Sequence, residues 1–185
     1  LMAACLAEGE TILENAAREP EIVDLANFLI ACGAEISGHG TAVIKVQGKP
    51  GLKGAPYKVM ADRIEAGTYV AAAPITGGEL TLTNCPVHCM DAVVQKFRDM
   101  GVVIDKNDTT LKVSLPGKLT CTDIRTQPYP GFPTDLLPQF MGMMTVAEGT
   151  CLIKETIFEN RFMHVAEMLR MGADIKIIDR TAYVN

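Results

Sequence analysis

Residues 146–175 read VAEGTCLIKETIFENRFMHVAEMLRMGADI, and two earlier stretches repeat their plan. Residues 6–36 read LAEGETILENAAREPEIVDLANFLIACGAEI, and residues 75–104 read ITGGELTLTNCPVHCMDAVVQKFRDMGVVI. Two sets of glycines mark the alignment: Gly9, Gly78 and Gly149, then Gly33, Gly101 and Gly172. Both recur at about 70 residues, longer than a solenoid period, so each unit reads as a small subdomain.

Within each unit the hydrophobic spacing changes in a fixed order. First comes a helix apolar nearly all round, over residues 1–7, 64–75 and 136–147; a helix without a polar face is buried. Glycine ends it. A short strand follows, at residues 11–14, 80–83 and 151–155, then a polar loop. Next is an amphipathic helix, clearest where Met90, Val93, Phe97 and Met100 oppose Asp91, Gln95, Lys96 and Asp99. Two strands close the unit: 34–37 with 43–46, 102–105 with 111–114, and 174–178 with 182–184. The plan is α-β-α-β-β, with a further strand possible at the start. So few strands cannot cover two helices, which predicts units packed around their buried helices with sheets outside.

Composition narrows the function classes. Of 185 residues, 48% are hydrophobic and 21% charged, as in a globular protein. The net charge of −5, without a long run of like charge, argues against a nucleic-acid partner. No apolar stretch is long enough to span a membrane, and the first residues lack the basic segment of a signal peptide. The six cysteines show no repeated metal-ligand spacing. Reduced thiols in a cytoplasmic protein are expected. The chain starts inside a predicted helix and ends on a predicted strand, so it reads as a piece of a longer protein.

The best domain boundary is QGKPGLKGAPYKVMAD, residues 47–62, with its glycines and prolines. It divides the chain into residues 1–47, a linker at 48–62, and residues 63–185. A second irregular stretch, residues 116–133, contains Pro116, Pro128, Pro130 and Pro133 and is too long for a simple turn.

The candidate site residues cluster in residues 130–164. Asp135 follows Thr134 at a helix start, where it can cap free amides or face a substrate hydroxyl. The two roles pull its pKa in opposite directions, because a helix N-terminus lowers it and a neutral-pH base needs it raised. Ile157, Phe158, Asn160 and Arg161 occupy a loop leading to a helix, and Arg161 can hold phosphate or carboxylate. The alternative is that Phe158 and Phe162 fill the core while Arg161 pairs with Glu159 or Glu167. Glu19 and Glu21 lie in the matching loop of the first unit, as a salt-bridge cluster with Arg18 or as acid at a helix start. Asp62 and Arg63, at the boundary, form a hinge contact or a solvated turn. Cys85, His88 and Cys89 lack a fourth ligand, so no metal is expected. His39 reads as a turn residue, and the ten methionines as core filling. No Walker loop or dinucleotide fingerprint is present.

Four strings, ENAAREPEIVDLANFL, DRIEAGTY, FPTD and ETIFENRFMHVAEMLRMGA, carry a resemblance that runs the length of the chain. They resemble the UDP-N-acetylglucosamine 1-carboxyvinyltransferases, the enolpyruvyl transferases that begin bacterial peptidoglycan synthesis. The resemblance implies an α/β fold called an inside-out α/β barrel: two domains, each of three βαβαββ units. It makes residues 1–47 the last unit of one domain and residues 63–185 two units of the second. It implies transfer of the enolpyruvyl group of phosphoenolpyruvate to the 3′-hydroxyl of UDP-N-acetylglucosamine, with release of phosphate and no cofactor. Asp135 becomes sugar ligand and base, and Ile157 and Phe158 lie along the nucleotide sugar. Arg161 becomes a cleft residue, and Glu19 and Asp62 candidates for domain closure. The family's loop cysteine and the basic residues for phosphoenolpyruvate have no match here and belong to the remainder of the enzyme chain. Two alternatives stand: a non-catalytic sugar-nucleotide-binding paralogue, and the sister enzyme that acts on shikimate 3-phosphate.

We predict that this 185-residue chain alone does not turn over substrate. Incubation with UDP-N-acetylglucosamine and phosphoenolpyruvate should release no phosphate above background, and measurable release would refute the prediction.

Overall fold

The computed structural model describes residues 1–185. They form two compact units, Leu1–Met60 and Ala61–Asn185. In the first, strand β1 (Glu10–Glu14) leads to helix α1 (Pro20–Ala31), then to β2 (Glu35–Ser37) and β3 (Val43–Gln47). The sheet is antiparallel, with β3 in the centre. Pro20 suits the first turn of α1 because no amide hydrogen is required there. Ile44 and Val46 project from one face of β3 and pack with Leu29, Ala34 and Cys5. Beyond β3 the chain runs without regular structure. The Lys53 amide donates to the Cys32 carbonyl, 2.9 Å. The Tyr57 hydroxyl donates to the Asp24 carboxylate, 2.9 Å, and its ring meets Phe28 edge-on.

One expectation fails in this unit. Residues 1–7 form only a single 3-10 turn, Ala4–Leu6, and leave Met2 and Leu6 exposed while burying Cys5.

The second unit opens with α2 (Arg63–Ile75), β4 (Leu80–Leu82), α3 (Asp91–Asp99), β5 (Val103–Lys106) and β6 (Leu111–Ser114). Strand β7 (Ile124–Arg125), helix α4 (Leu137–Met144), β8 (Cys151–Lys154), α5 (Val165–Arg170), β9 (Ile175–Ile178) and β10 (Thr181–Val184) follow. The sheet orders are β4-β6-β5 and β7-β8-β10-β9. In each, the strand before the amphipathic helix pairs with the last strand, as β1 does with β3. The extra strand β7 runs parallel to β8 and lies inside the proline-rich stretch.

The amphipathic helices all stop at a left-handed glycine: Gly33 at φ 98°, Gly101 at 89° and Gly172 at 97°. A side chain at these positions meets its own backbone, which is why glycine ends each helix. At the end of α2 the left-handed residue is Gly77, not Gly78.

The core lies between α2, α3, α4 and the two sheets. Phe140 is fully buried, with its ring centroid 4.4 Å from that of Phe97 and 4.9 Å from that of Phe132. Met90, Val93, Phe97 and Met100 are all buried, as their spacing predicts. Met141, Met143 and Met144 also fill the core, whereas Met2, Met163 and Met171 are exposed. Helix α2 is buried along Ala66, Gly67, Val70, Ala71 and Ala73, but leaves Tyr69 and Ile75 open. Its apolar composition therefore overstates its burial in these residues. Cys121 and Cys151 stand within disulfide reach, Cα–Cα 5.4 Å. The proline-rich stretch runs beside the start of β8, where the Cys121 amide reaches the Glu148 carbonyl, and their separation in sequence gave no hint of it.

Replacing Phe140 with Ala removes an aromatic from between two others. We predict a loss of about 3–5 kcal/mol of stability, measurable by denaturant unfolding. A loss below about 1 kcal/mol would count against this packing.

Candidate active site

Strand β8 sets the site through its alternation. Cys151, Ile153 and Glu155 face the same way and are 4%, 0% and 2% exposed. A carboxylate thus follows two apolar residues into the interior. Burying it unpaired is costly, and here four donors converge on it. Its Oε1 accepts from the Thr126 hydroxyl (3.0 Å) and from the Ile157 and Phe158 amides (2.5 and 3.0 Å). Its Oε2 accepts from the Thr134 hydroxyl (2.6 Å). Burial raises the carboxyl pKa, but the bonds from Thr134, Phe158, Ile157 and Thr126 together outweigh it and hold Glu155 below the usual glutamate range.

Thr126 extends the same network. Its buried hydroxyl donates to Glu155 and accepts from the Thr156 amide at 2.8 Å. Its carbonyl accepts from the Thr156 hydroxyl. The parallel pairing of β7 with β8 brings the two threonines together.

Asp135 lies one residue beyond Thr134, inside the 3-10 turn Thr134–Leu136 that leads into α4. It caps no amide, contrary to the capping role its position suggests. The tight turn ahead of α4 moves the helix start to Leu137, so the free amides are displaced from Asp135. Its carboxylate instead forms an ion pair with the Arg161 guanidinium. Arg161 also lies over the Phe158 ring, 5.6 Å from its centroid. Arg161 therefore pairs with neither Glu159 nor Glu167. The Arg180 guanidinium donates to the Phe158 carbonyl at 3.0 Å. Burial and then the charge of Arg161 hold the His164 imidazole below its ordinary pKa.

Asp135, Phe158 and Arg161 thus meet at one place, with Ile157 beside them in the chain. The side chains of Ile157 and Phe158 are exposed, so Phe158 does not plug the core, whereas Phe162 is half-buried and packs against it. Asp62 caps α2, accepting from the Ile64 and Glu65 amides at 2.7 and 3.2 Å. Glu19 precedes α1 in the other unit, where its backbone carbonyl accepts from Ile22 and its Oε2 is buried without a hydrogen-bond partner. Sequence reading missed Glu155, Thr126 and Thr134. The signal was available for Glu155: its odd-numbered register with Cys151 and Ile153 places it on the core face.

The arrangement resembles that of known proteins. An enolpyruvyl transferase NikO from Streptomyces tendae matches 98% of this chain and 44% of its own, with TM-score 0.83 and 22% identity. An EPSP synthase from Acinetobacter baumannii matches 100% and 44%, with TM-score 0.64 and 20% identity. The fold is that of the enolpyruvyl transferases.

The sequence model of EPSP synthase (3-phosphoshikimate 1-carboxyvinyltransferase) matches residues 1–184, and the chain belongs to that family. Within it, a UDP-N-acetylglucosamine 1-carboxyvinyltransferase of Nitratidesulfovibrio vulgaris (strain DSM 19637 / Miyazaki F) is 60% identical over all 185 residues. That of Oleidesulfovibrio alaskensis (strain ATCC BAA-1058 / DSM 17464 / G20) is 58% identical over 184. The chain spans 44% of the length of each of these relatives.

Glu155 also sets an acid limit. Its native pKa is depressed, so the unfolded chain takes up the proton first as pH falls. Its contribution to stability is full above the ordinary glutamate value of about 4.3 and is lost as pH falls through its lowered native value. We predict that Glu155→Gln flattens the acid limb of stability against pH, measured by thermal melts. An unchanged limb would count against an ionised Glu155.

Proposed function

We propose that the protein carrying this chain transfers the enolpyruvyl group of phosphoenolpyruvate to the 3′-hydroxyl of UDP-N-acetylglucosamine, releasing phosphate. This is the first committed step of peptidoglycan synthesis, and we place it in the cytoplasm, where no membrane partner, nucleic acid or cofactor is needed. No helix here is long and apolar enough to cross a membrane. The observation that carries the reading is the meeting of a carboxylate, a guanidinium and an exposed aromatic at Asp135, Arg161 and Phe158. The names of relatives about 60% identical along the whole chain support the choice of sugar nucleotide.

In this reading Asp135 takes the proton of the attacking hydroxyl as its oxygen bonds to the enolpyruvyl carbon and phosphate departs. Ile157 and Phe158 lie against the nucleotide sugar. Arg161 exchanges its bond with Asp135 for an anionic group of the ligand, and its buried Nε, which has no hydrogen-bond partner, is a donor ready for one. This chain carries the sugar-nucleotide side, and the phosphoenolpyruvate side belongs to the remainder of the enzyme. In the finer architecture, an inside-out barrel of βαβαββ units, residues 1–47 complete one domain and residues 63–185 are two units of the next. Residues 48–62 link them, with Glu19 and Asp62 as candidates for closure. The recurrent sheet order and the cap at Asp62 support this division.

The family description names 3-phosphoshikimate, so shikimate 3-phosphate is the second acceptor to test. We predict that the complete protein binds UDP-N-acetylglucosamine and not shikimate 3-phosphate in calorimetric titration. Preference for shikimate 3-phosphate overturns the acceptor. Asp135→Asn should lower kcat by about 10²–10⁴-fold, as for a general base. Wild-type turnover in that variant would remove Asp135 from the chemistry.

A further inference from the structure

We infer that Glu155 is a positioning residue that sets the geometry of Asp135 and of the Ile157–Phe158 turn at once. The inference rests on the transferase reading of the site. The two segments are far apart in sequence, on either side of α4 and β8, and Glu155 bonds both. Its Oε2 holds Thr134, the neighbour of Asp135. Its Oε1 holds the backbone of Ile157 and Phe158 directly. A shift of this one carboxylate therefore moves the base and the sugar-contact loop relative to each other.

The bonding pattern separates this role from general packing. Glu155 accepts only from neutral hydroxyls and amides, although two arginines serve the same loop. Arg161 is held by Asp135 and Arg180 by the Phe158 carbonyl. The buried charge is thus directed at two hydroxyl rotors and two backbone amides. Bonds to an ionised acceptor are shorter and about twice as strong as neutral ones, which suits a group that must fix a geometry. Thr126 makes the frame stiffer, because its hydroxyl bonds Glu155 and Thr156 together.

The substitutions separate the two arms. Glu155→Gln keeps the shape but removes the charge, and its amide nitrogen cannot accept from Thr134. Thr134→Val removes the arm to Asp135, while Thr134→Ser keeps it. In the complete protein we expect Glu155→Gln to lower kcat/KM for UDP-N-acetylglucosamine at least tenfold, with the KM for phosphoenolpyruvate within twofold. Thr134→Val should lower kcat at least tenfold with the sugar-nucleotide KM within threefold, and Thr134→Ser should restore it. Hydrogen exchange at the Ile157 and Phe158 amides should quicken at least tenfold in Glu155→Gln, with the β10 amides unchanged.

Unchanged sugar-nucleotide kinetics in a folded Glu155→Gln protein overturn the proposal. So does an equal loss toward both substrates with exchange raised throughout, which marks a structural role. Should Glu155→Gln not fold, equal kinetics in Thr134→Val and Thr134→Ser overturn it. A wild-type protein inactive on UDP-N-acetylglucosamine defeats the transferase reading, and the exchange rates then judge the hold of Glu155 on the Ile157–Phe158 turn by themselves.

Discussion

A single buried carboxylate governs how the site is held. Glu155 is 2% exposed and remains ionised because four donors meet it. A hydrogen bond to a charged group contributes about 1.5–3 kcal/mol, so one such bond cannot offset the desolvation of a carboxylate, but four together can. The requirement is geometric as much as energetic. Two hydroxyls and two amides must arrive from three places in the chain, and only one register of β8 against β7 and β10 brings them there. A slip of one residue turns Glu155 to the solvent face and carries Ile153 out of the core.

The rest of the second unit serves that register. Gly172 ends α5 so that β9 and β10 can return beside β8. Buried Phe140 anchors α4 between Phe97 and Phe132, and thereby fixes the turn that bears Thr134 and Asp135. The same sheet order carries different loops elsewhere: Asn84–Pro86–His88 follows β4, and Arg18–Glu19–Pro20 follows β1. The scaffold repeats, whereas the chemistry lies in what each loop was given.

Much of this is legible in the sequence. The strands at residues 11–14, 80–83 and 151–155 lie within a residue or two of β1, β4 and β8, because alternation and flanking glycines are local signals. The amphipathic helix from Met90 to Met100 follows from spacing alone. What escaped depends on distant partners. Asp135 and Asp62 both precede apolar helices, yet only Asp62 caps, since a 3-10 turn intervenes after Asp135. Arg161 had two carboxylates within reach on paper, Glu159 and Glu167, and the fold supplied a third, Asp135. Cys121 and Cys151 meet because an isolated bridge between Thr120 and Glu148 lays the two stretches side by side, which no local pattern encodes. Residues 1–7 look like α2 and α4 in composition but form one 3-10 turn in this chain. Glu155 was hidden by its own string, because the phenylalanine and arginine beside it drew the functional reading.

The site thus combines two kinds of electrostatic contact with opposite consequences. The bonds to Glu155 are buried, and breaking any one leaves a donor or a charge without a partner in a place water does not reach. The pair between Asp135 and Arg161 is partly open to solvent, with the aspartate side chain 56% exposed. Exposed ion pairs contribute about 0–1 kcal/mol, so a ligand anion can take Arg161 from Asp135 at small cost. Arg161 also faces the Phe158 ring, whose backbone Glu155 holds at the amide and Arg180 at the carbonyl. Under the proposed function, a rigid interior beneath an exchangeable surface pair would let an anionic ligand free Asp135 without rebuilding the loop around it.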